Sequence, residues 1–571
     1  RNHSSAASDV YKRQPTNTEV SYNYDTENSQ LDVTWDVTTT HLDGGSGTEV
    51  IQGFLPHHYK NMTSAVTFAG DEYLVTRGQM KTAIGNSFSF SYDFHSFVPH
   101  YTSPFTNGAD AHPYDATVMY DLVTEHSKKT GYVADTYWGG KDLVNYAKYT
   151  LMAQQVNHHA FNTLKAKTRE ALVDWLTYTP GETEHYYAYY PRWKGLVGFN
   201  ESFGSANFSD HHFHYGYLIH AAALYGMVDE DFLTDYGDML KLVAKEYANW
   251  NRADTMLPFF RTLDPWMGHS YAGGLSFNTG NNQESTSEAM QSWIGLFLLG
   301  NVMGDNDMRA AGAFGYLNES RATLEYWFDW EDTNFPASYT ADMVGILWNW
   351  GLAYATWFSA SPIHIHGIQY LPICPGFAYL GMDTTWAQTE YDTMMAEVLA
   401  YEGFTEEAQF GPDWANYALG FRQIFDPEYV AEKLENYHNT SDVTLSYETG
   451  GITYYYTHAN QNLGPIAWDY YTNIAASTVY EKDGEFSYAV AYNPEDTAVT
   501  CLVYNDGTLE HAFNVPARTL ITYPWQPTAL PPGGCLEVPV QNSAASSDVA
   551  GNTSSFACLL YTSPSPRDIG E

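Results

Sequence analysis

The hydrophobic periodicity of this chain changes twice along its length, and that switch limits the folds open to it. From Pro15 to about Leu122 apolar and polar residues alternate, as in LDVTWDVTTT (Leu31 to Thr40) and SFSFSYDF (Ser87 to Phe94). A period of two is the pattern of half-buried strands. From about Asp135 the apolar spacing becomes three and four. KDLVNYAKYTLMAQQ (Lys141 to Gln155), TLKAKTREALVDWL (Thr163 to Leu176), YGYLIHAAALYGMV (Tyr215 to Val228), DMLKLVAKEYANW (Asp238 to Trp250), SEAMQSWIGLFLLGNVM (Ser287 to Met303), RAAGAFGYLNESRATLEYWF (Arg309 to Phe328) and ADMVGILWNWGLAYATWF (Ala341 to Phe358) all read as helices. After about Ala475 strand patterns return, in FSYAVAYNP (Phe486 to Pro494) and VTCLVYN (Val499 to Asn505). Helices separated by long aromatic loops predict an α/α barrel, a ring of helical hairpins with a cleft at one end, flanked by β structure.

Both ends stand apart from this pattern. SSAASDVYKRQ (Ser4 to Gln14) and CLLYTSPSPRD (Cys558 to Asp568) read as translated sequencing adapters, so 1–14 and 558–571 are set aside as scars and the leading β domain is expected to be truncated. The lack of a leader then carries no information. PWQPTALPPGG (Pro524 to Gly534) reads as a semi-rigid linker continued by a low-complexity tail, which leaves room for further modules beyond it.

A formal charge of -41 disfavours nucleic acid, whose phosphates are held by Lys and Arg, and points to a neutral partner or to solubility in salty surroundings. No apolar run of about 18 residues predicts a membrane span. Outside the scars, Cys374, Cys501 and Cys535 form neither a disulfide framework nor a zinc ribbon. The aromatic share, 16% with 47 Tyr and 16 Trp, exceeds what a core needs and mildly favours a carbohydrate ligand, because sugar C–H faces stack on such rings.

Two clusters carry the chemistry. In SDHHFHYGYLIH (Ser209 to His220), a helix starting near Asp210 puts Asp210 and His214 four residues apart on one face, which fits an acid tuned by an imidazole. Read alone, Asp210 is as well explained as an N-cap. His211, His212, His214 and His220 invite a zinc reading, but the adjacent pair points apart and neither HExxH nor a nearby Cys completes a set, so no metal and no cofactor is expected. In GNNQESTSEAMQSW (Gly280 to Trp293), Glu284 and Glu288 are also four apart, though Ser285-x-x-Glu288 is a capping-box pattern and Asn281-x-x-Glu284 approximates one. An inverting glycosidase needs one protonated carboxyl and one carboxylate that activates water, roughly 6.5–9.5 Å apart. Clusters distant in sequence can supply that gap.

Taken together, DHHFHYGY (Asp210 to Tyr217) and NQESTSEA (Asn282 to Ala289) resemble the motifs of glycoside hydrolase family 81, the endo-β-1,3-glucanases. The resemblance extends to GFLPHHYK (Gly53 to Lys60), RGQMK (Arg77 to Lys81), DTYWGGK (Asp135 to Lys141), DPWMGHSYAGG (Asp264 to Gly274) and HGIQYLPICP (His366 to Pro375), in the same order. It implies a multidomain α+β architecture: a partial β-sandwich over 15–122, an α/β connecting region over 123–180, an (α/α)6-barrel catalytic domain over 181–475, a β appendage over 476–524 and a linker over 525–557. It also implies a secreted enzyme that cuts internal β-1,3-glucan linkages with inversion. Asp210 would be the general acid, a neutral His214 its neighbour, and Glu284 or Glu288 the base, with Glu288 preferred. Tyr215, Asp264, Trp266, His269, His212 and Gln283 are the expected substrate contacts. Trp266 and Tyr271 stand interchanged relative to the family pattern, which bears on sugar contacts. Rival readings are a polysaccharide lyase, another glycosidase of the same barrel class, or a catalytically inactive glucan-binding protein.

Overall fold

The computed structural model describes residues 13–63, 66–275, 280–371, 373–439 and 448–524; the proline-rich linker and the trailing scar lie outside them. The protein mixes helices with antiparallel sheets. At the front, strands Arg13–Asp25, Gln30–His41 and Ser87–Asp93 form one sheet, and Val50–Phe54, Gly78–Gly85 and Glu72–Val75 form a second. Arg13 and Gln14, counted with the scar from sequence, pair with His41 and Thr40.

The alternation explains the first sheet. Leu31, Val33, Trp35 and Val37 are buried, while Asp32 and Asp36 face solvent. Across the ladder Val33 meets Phe90 and Trp35 meets Phe88, giving one apolar face. Trp35 packs edge-on against Trp266, which also meets Phe54 and His58.

The helical part begins at Ala116–Ser127, earlier than predicted. Helices Trp138–Gln155, Phe161–Leu176, His211–Gly226, Glu230–Ala248, Thr286–Val302 and Asn306–Tyr326 match the predicted stretches with shifted ends. One prediction fails. Ala341 to Phe358 is not a helix; Ile346–Trp348 and Leu352–Ala353 form a hairpin around the Gly351 turn, and Ile346–Trp348 also pairs with Asn282–Gln283. A short apolar run reads alike as buried strand or helix, and a neighbouring backbone with free ladder groups decided the matter. The sequence reading also passed over Thr384–Glu402, Pro412–Arg422, Pro427–Asn439 and Gly450–Leu463.

Packing runs from Trp138–Gln155 to His211–Gly226, then to Thr286–Val302, through the segments after Pro362 to Pro412–Arg422, and by way of Gly450–Leu463 back to Trp138–Gln155. His211–Gly226 and Thr286–Val302 are buried on every side, which is why neither shows an amphipathic stripe. Beyond them two small sheets, from Tyr470 to Tyr523, enclose a second core that includes Val479, Ala491, Cys501 and Phe513.

Glycines set how near the two central helices come. A Cβ on Gly216 would lie 2.6 Å from Cβ of Ser292, and one on Gly295 would lie 2.8 Å from the His220 amide nitrogen. Both contacts need a residue without a side chain. Gly216→Ala should therefore lower the unfolding free energy by about 1–3 kcal/mol through overpacking, measured by chemical denaturation; an unchanged midpoint would contradict this packing.

Candidate active site

A cleft of ≈ 700 Å³ opens where four helices begin. Tyr137, Trp138 and Lys141 come from the start of Trp138–Gln155, Asp210 and His214 from the start of His211–Gly226, and Glu284 and Glu288 from the entry to Thr286–Val302. Asp413, Trp414 and Tyr417 come from the start of Pro412–Arg422. Helix N-termini carry partial positive charge, so this end of the fold favours a cluster of carboxylates.

Asp210 occupies the N-cap position, yet its side chain caps nothing. Its backbone is left-handed, with φ 59° and ψ 20°, a conformation Asp tolerates better than most residues. The amide donates to the Ala272 carbonyl at 2.8 Å and the Asp210 carbonyl accepts from the His214 amide at 3.0 Å. The backbone is thus held on both sides while the carboxyl enters the cleft. Burial, then the charge of Glu288, then that of Glu284, hold its pKa well above the usual carboxylate range.

The two glutamates have different surroundings. Glu288 is 3% exposed; its Oε1 accepts from the Tyr217 hydroxyl at 2.6 Å and lies 3.5 Å from Lys141 Nζ. The Tyr137 hydroxyl bonds it as well. Ser285 does cap the helix, accepting from the Glu288 amide, but the Glu288 carboxylate is spent on the tyrosines and the lysine. Glu284 precedes the helix and follows the paired residues Asn282–Gln283, so the second capping pattern has no helix to cap. Its Oε1 accepts from the Trp357 amide at 2.7 Å, its side chain is only partly buried, and burial pushes its pKa up to about 7 against that hydrogen bond.

His214 is buried with Nδ1 2.7 Å from the Thr136 hydroxyl, and its Nε2 has no hydrogen-bond partner among the described residues. Burial, with His211, His212 and Lys141 nearby, keeps its pKa well below the ordinary imidazole value. The ring is therefore neutral at neutral pH.

Several expected sugar contacts lie elsewhere. Tyr215 is fully buried, its hydroxyl accepting from the Gly198 amide at 3.0 Å and donating to the Leu196 carbonyl. Trp266 is the plug between sheet and helices. His269 is buried, its Nε2 accepting from Arg77 at 3.0 Å. His212 and Gln283 are buried against each other at 3.3 Å, behind the cleft wall. None of these five is among the residues that line the cleft; Tyr215, His269 and Gln283 bond other protein groups, Trp266 packs among rings, and His212 Nδ1 has no hydrogen-bond partner among the described residues. Asp264 lines a neighbouring hollow of ≈ 470 Å³, where its Oδ1 accepts from the Trp266 and Met267 amides. Among the remaining histidines, His211 bonds Glu246 at 2.9 Å and the Ser205 carbonyl, while His220 is buried apart. Sequence reasoning missed the aromatic wall. Trp138, Phe203, Trp357 and Phe358 line the cleft and are 49%, 60%, 58% and 59% exposed. Trp138 sits inside DTYWGGK, where it was legible; Trp357 and Phe358 were hidden by the helix assignment.

Residues 113–446 match the family described as glycosyl hydrolase family 81 C-terminal domain. A glucan endo-1,3-beta-D-glucosidase of Acetivibrio thermocellus is 30% identical over 499 residues, covering 86% of this chain and 62% of that protein. Another of the same name from Thermobifida fusca is 31% identical over 517 residues, covering 89% and 65%. This chain thus spans less than two thirds of the length of either relative. The solved structure of a family 81 glycoside hydrolase from Clostridium thermocellum superposes with a TM-score of 0.82 at 28% identity, over 90% of this chain and 69% of that one. On the extent of that match and on the shared fold, the chain belongs to glycosyl hydrolase family 81.

Proposed function

We propose that this protein hydrolyses internal β-1,3-glucosidic linkages of β-1,3-glucans with inversion at the anomeric carbon. The observation that carries the reading is three carboxyls, Asp210, Glu284 and Glu288, on the wall of one aromatic cleft, where burial and then the charges of the two glutamates raise the pKa of Asp210. Its natural setting is extracellular, where such glucans occur, and the names of the relatives support the substrate class. The ring of packed helices supports an (α/α)6 barrel whose first helix is Trp138–Gln155, ahead of the boundary at 181 expected from sequence. The sheets on either side then correspond to the β-sandwich and the β appendage.

In this scheme Asp210 gives its proton to the leaving glycosidic oxygen as the C1–O bond breaks, and a water held by a carboxylate attacks C1 from the opposite face. Glu284 is assigned as that base in place of the Glu288 preferred from sequence. Glu284 keeps an oxygen open to the cleft, and a base titrating near 7 combines strong proton affinity with a large ionised fraction at neutrality. Glu288, tied to Tyr217, Tyr137 and Lys141, is positioned so that its charge adds to burial in raising the pKa of Asp210. The neutral His214, with Nε2 free among the described residues, adds no positive charge that would expel that proton.

Asp210→Asn should slow laminarin hydrolysis on the order of 10² to 10⁴-fold while glucan binding persists, and the wild type should release new reducing ends first as α anomers by NMR. Early β anomers would reject inversion, and an unchanged rate would reject the acid. Activity should fall as pH drops through about 7, because the base is lost on protonation. Glu284→Ala should abolish that acid limb, and azide should restore turnover by forming an α-glucosyl azide. Restoration in Glu288→Ala instead would reassign the base.

A further inference from the structure

Beneath the cleft a second, smaller cavity sits between the helices of the ring. Lys141, Asn145 and Lys148 face it from one side of Trp138–Gln155 at the spacing of successive helical turns, and Tyr217, Asn416 and Thr453 face it from three other helices. Its volume is ≈ 40 Å³, room for roughly one to three water-sized occupants. Lys141 and Tyr417 line both this cavity and the cleft.

The two ammonium groups differ in how they are balanced. Lys141 has the Glu288 carboxylate at 3.5 Å. Lys148 is 1% exposed and donates to the Ile373 carbonyl, and no carboxylate of the described residues lies at ion-pair distance from it. The thiol of Cys374 beside it is held neutral, its pKa pushed up to about 11 by burial. His100 and His220, also within its field, are kept neutral by burial and so neither add positive charge nor balance it. Burial lowers the Lys148 pKa only to about 8, so the group remains mostly charged at neutrality. A buried charge without a counter-charge is costly, and a carbonyl dipole does not replace an anion. In a chain of net charge -41, this is a local positive island enclosed in the barrel.

We propose that the cavity between Lys141 and Lys148 binds a small monovalent anion of the halide class, which serves as the counter-ion of Lys148. The two ammonium groups and the Asn145 amide are the donors toward this space, since the Thr453 hydroxyl donates to the Thr449 carbonyl and the Asn416 amide to the Pro412 carbonyl, and the size excludes phosphate esters and sugars.

The test uses the whole protein and sodium bromide as probe. Crystals soaked in bromide should show an anomalous peak inside this cavity. In solution, chloride or bromide should raise the melting temperature over gluconate at equal ionic strength, by roughly 1–3 °C at ten times Kd. Lys148→Met should lose that difference. Should Lys148→Met fail to fold, Thr453→Leu, which fills the cavity and keeps both lysines, should lose it instead. Water without anomalous signal in the cavity, bromide at the surface alone, or an equal halide effect in the folded variant would overturn the proposal.

Discussion

The close packing of His211–Gly226 against Thr286–Val302 is the contact on which the site depends. Gly216 admits Ser292, and Gly295 admits the backbone at His220. The same device continues outward, where Gly312 admits the backbone of Phe297 and Gly315 admits the ring of Trp293. Contacts of this kind leave little freedom to slide, since a shift of one side chain would collide with backbone. Because Asp210 and the two glutamates stand at the entrances of those two helices, their spacing depends on that packing together with the loop contacts to Ala272 and Trp357.

Electrostatics then divide three carboxyls into different states. Helix N-termini favour negative charge at the cleft, while burial and mutual repulsion oppose it. Glu288 has a lysine and two tyrosines to hold its charge. For Asp210, repulsion from Glu288 and Glu284 adds to burial, and its pKa is held well above the usual carboxylate range. Glu284 lies between these extremes, with one amide bond and partial burial. In the proposed mechanism one environment thus serves both the acid and the base.

Much of this was legible in the residues. Period-two segments such as Leu31 to Thr40 became sheets, and six of the seven predicted helices formed, because burial on one or all faces fixes those patterns locally. The segment Ala341 to Phe358 did not, because its structure is decided by pairing with Asn282–Gln283, a partner far away in sequence. That error concealed Trp357, whose amide holds Glu284. Asp210 looked equally like a cap, and only its left-handed backbone turns the carboxyl away from the helix amides. Tyr215, Trp266 and His269 lie in motifs shared with the family, yet they support the site from the core; a motif records which residues must be present, not which of them face the cleft.

In the proposed mechanism Asp210 is protonated at neutral pH because burial, reinforced by the charges of Glu288 and Glu284, raises its pKa. The most direct measurement is the infrared difference spectrum of wild type minus Asp210→Asn at neutral pH, in the region of the protonated carboxylic acid carbonyl stretch. The wild type should show a protonated carboxyl band that disappears in Asp210→Asn. A wild type with no such band, and with the difference confined to ionised carboxylate modes, would contradict it.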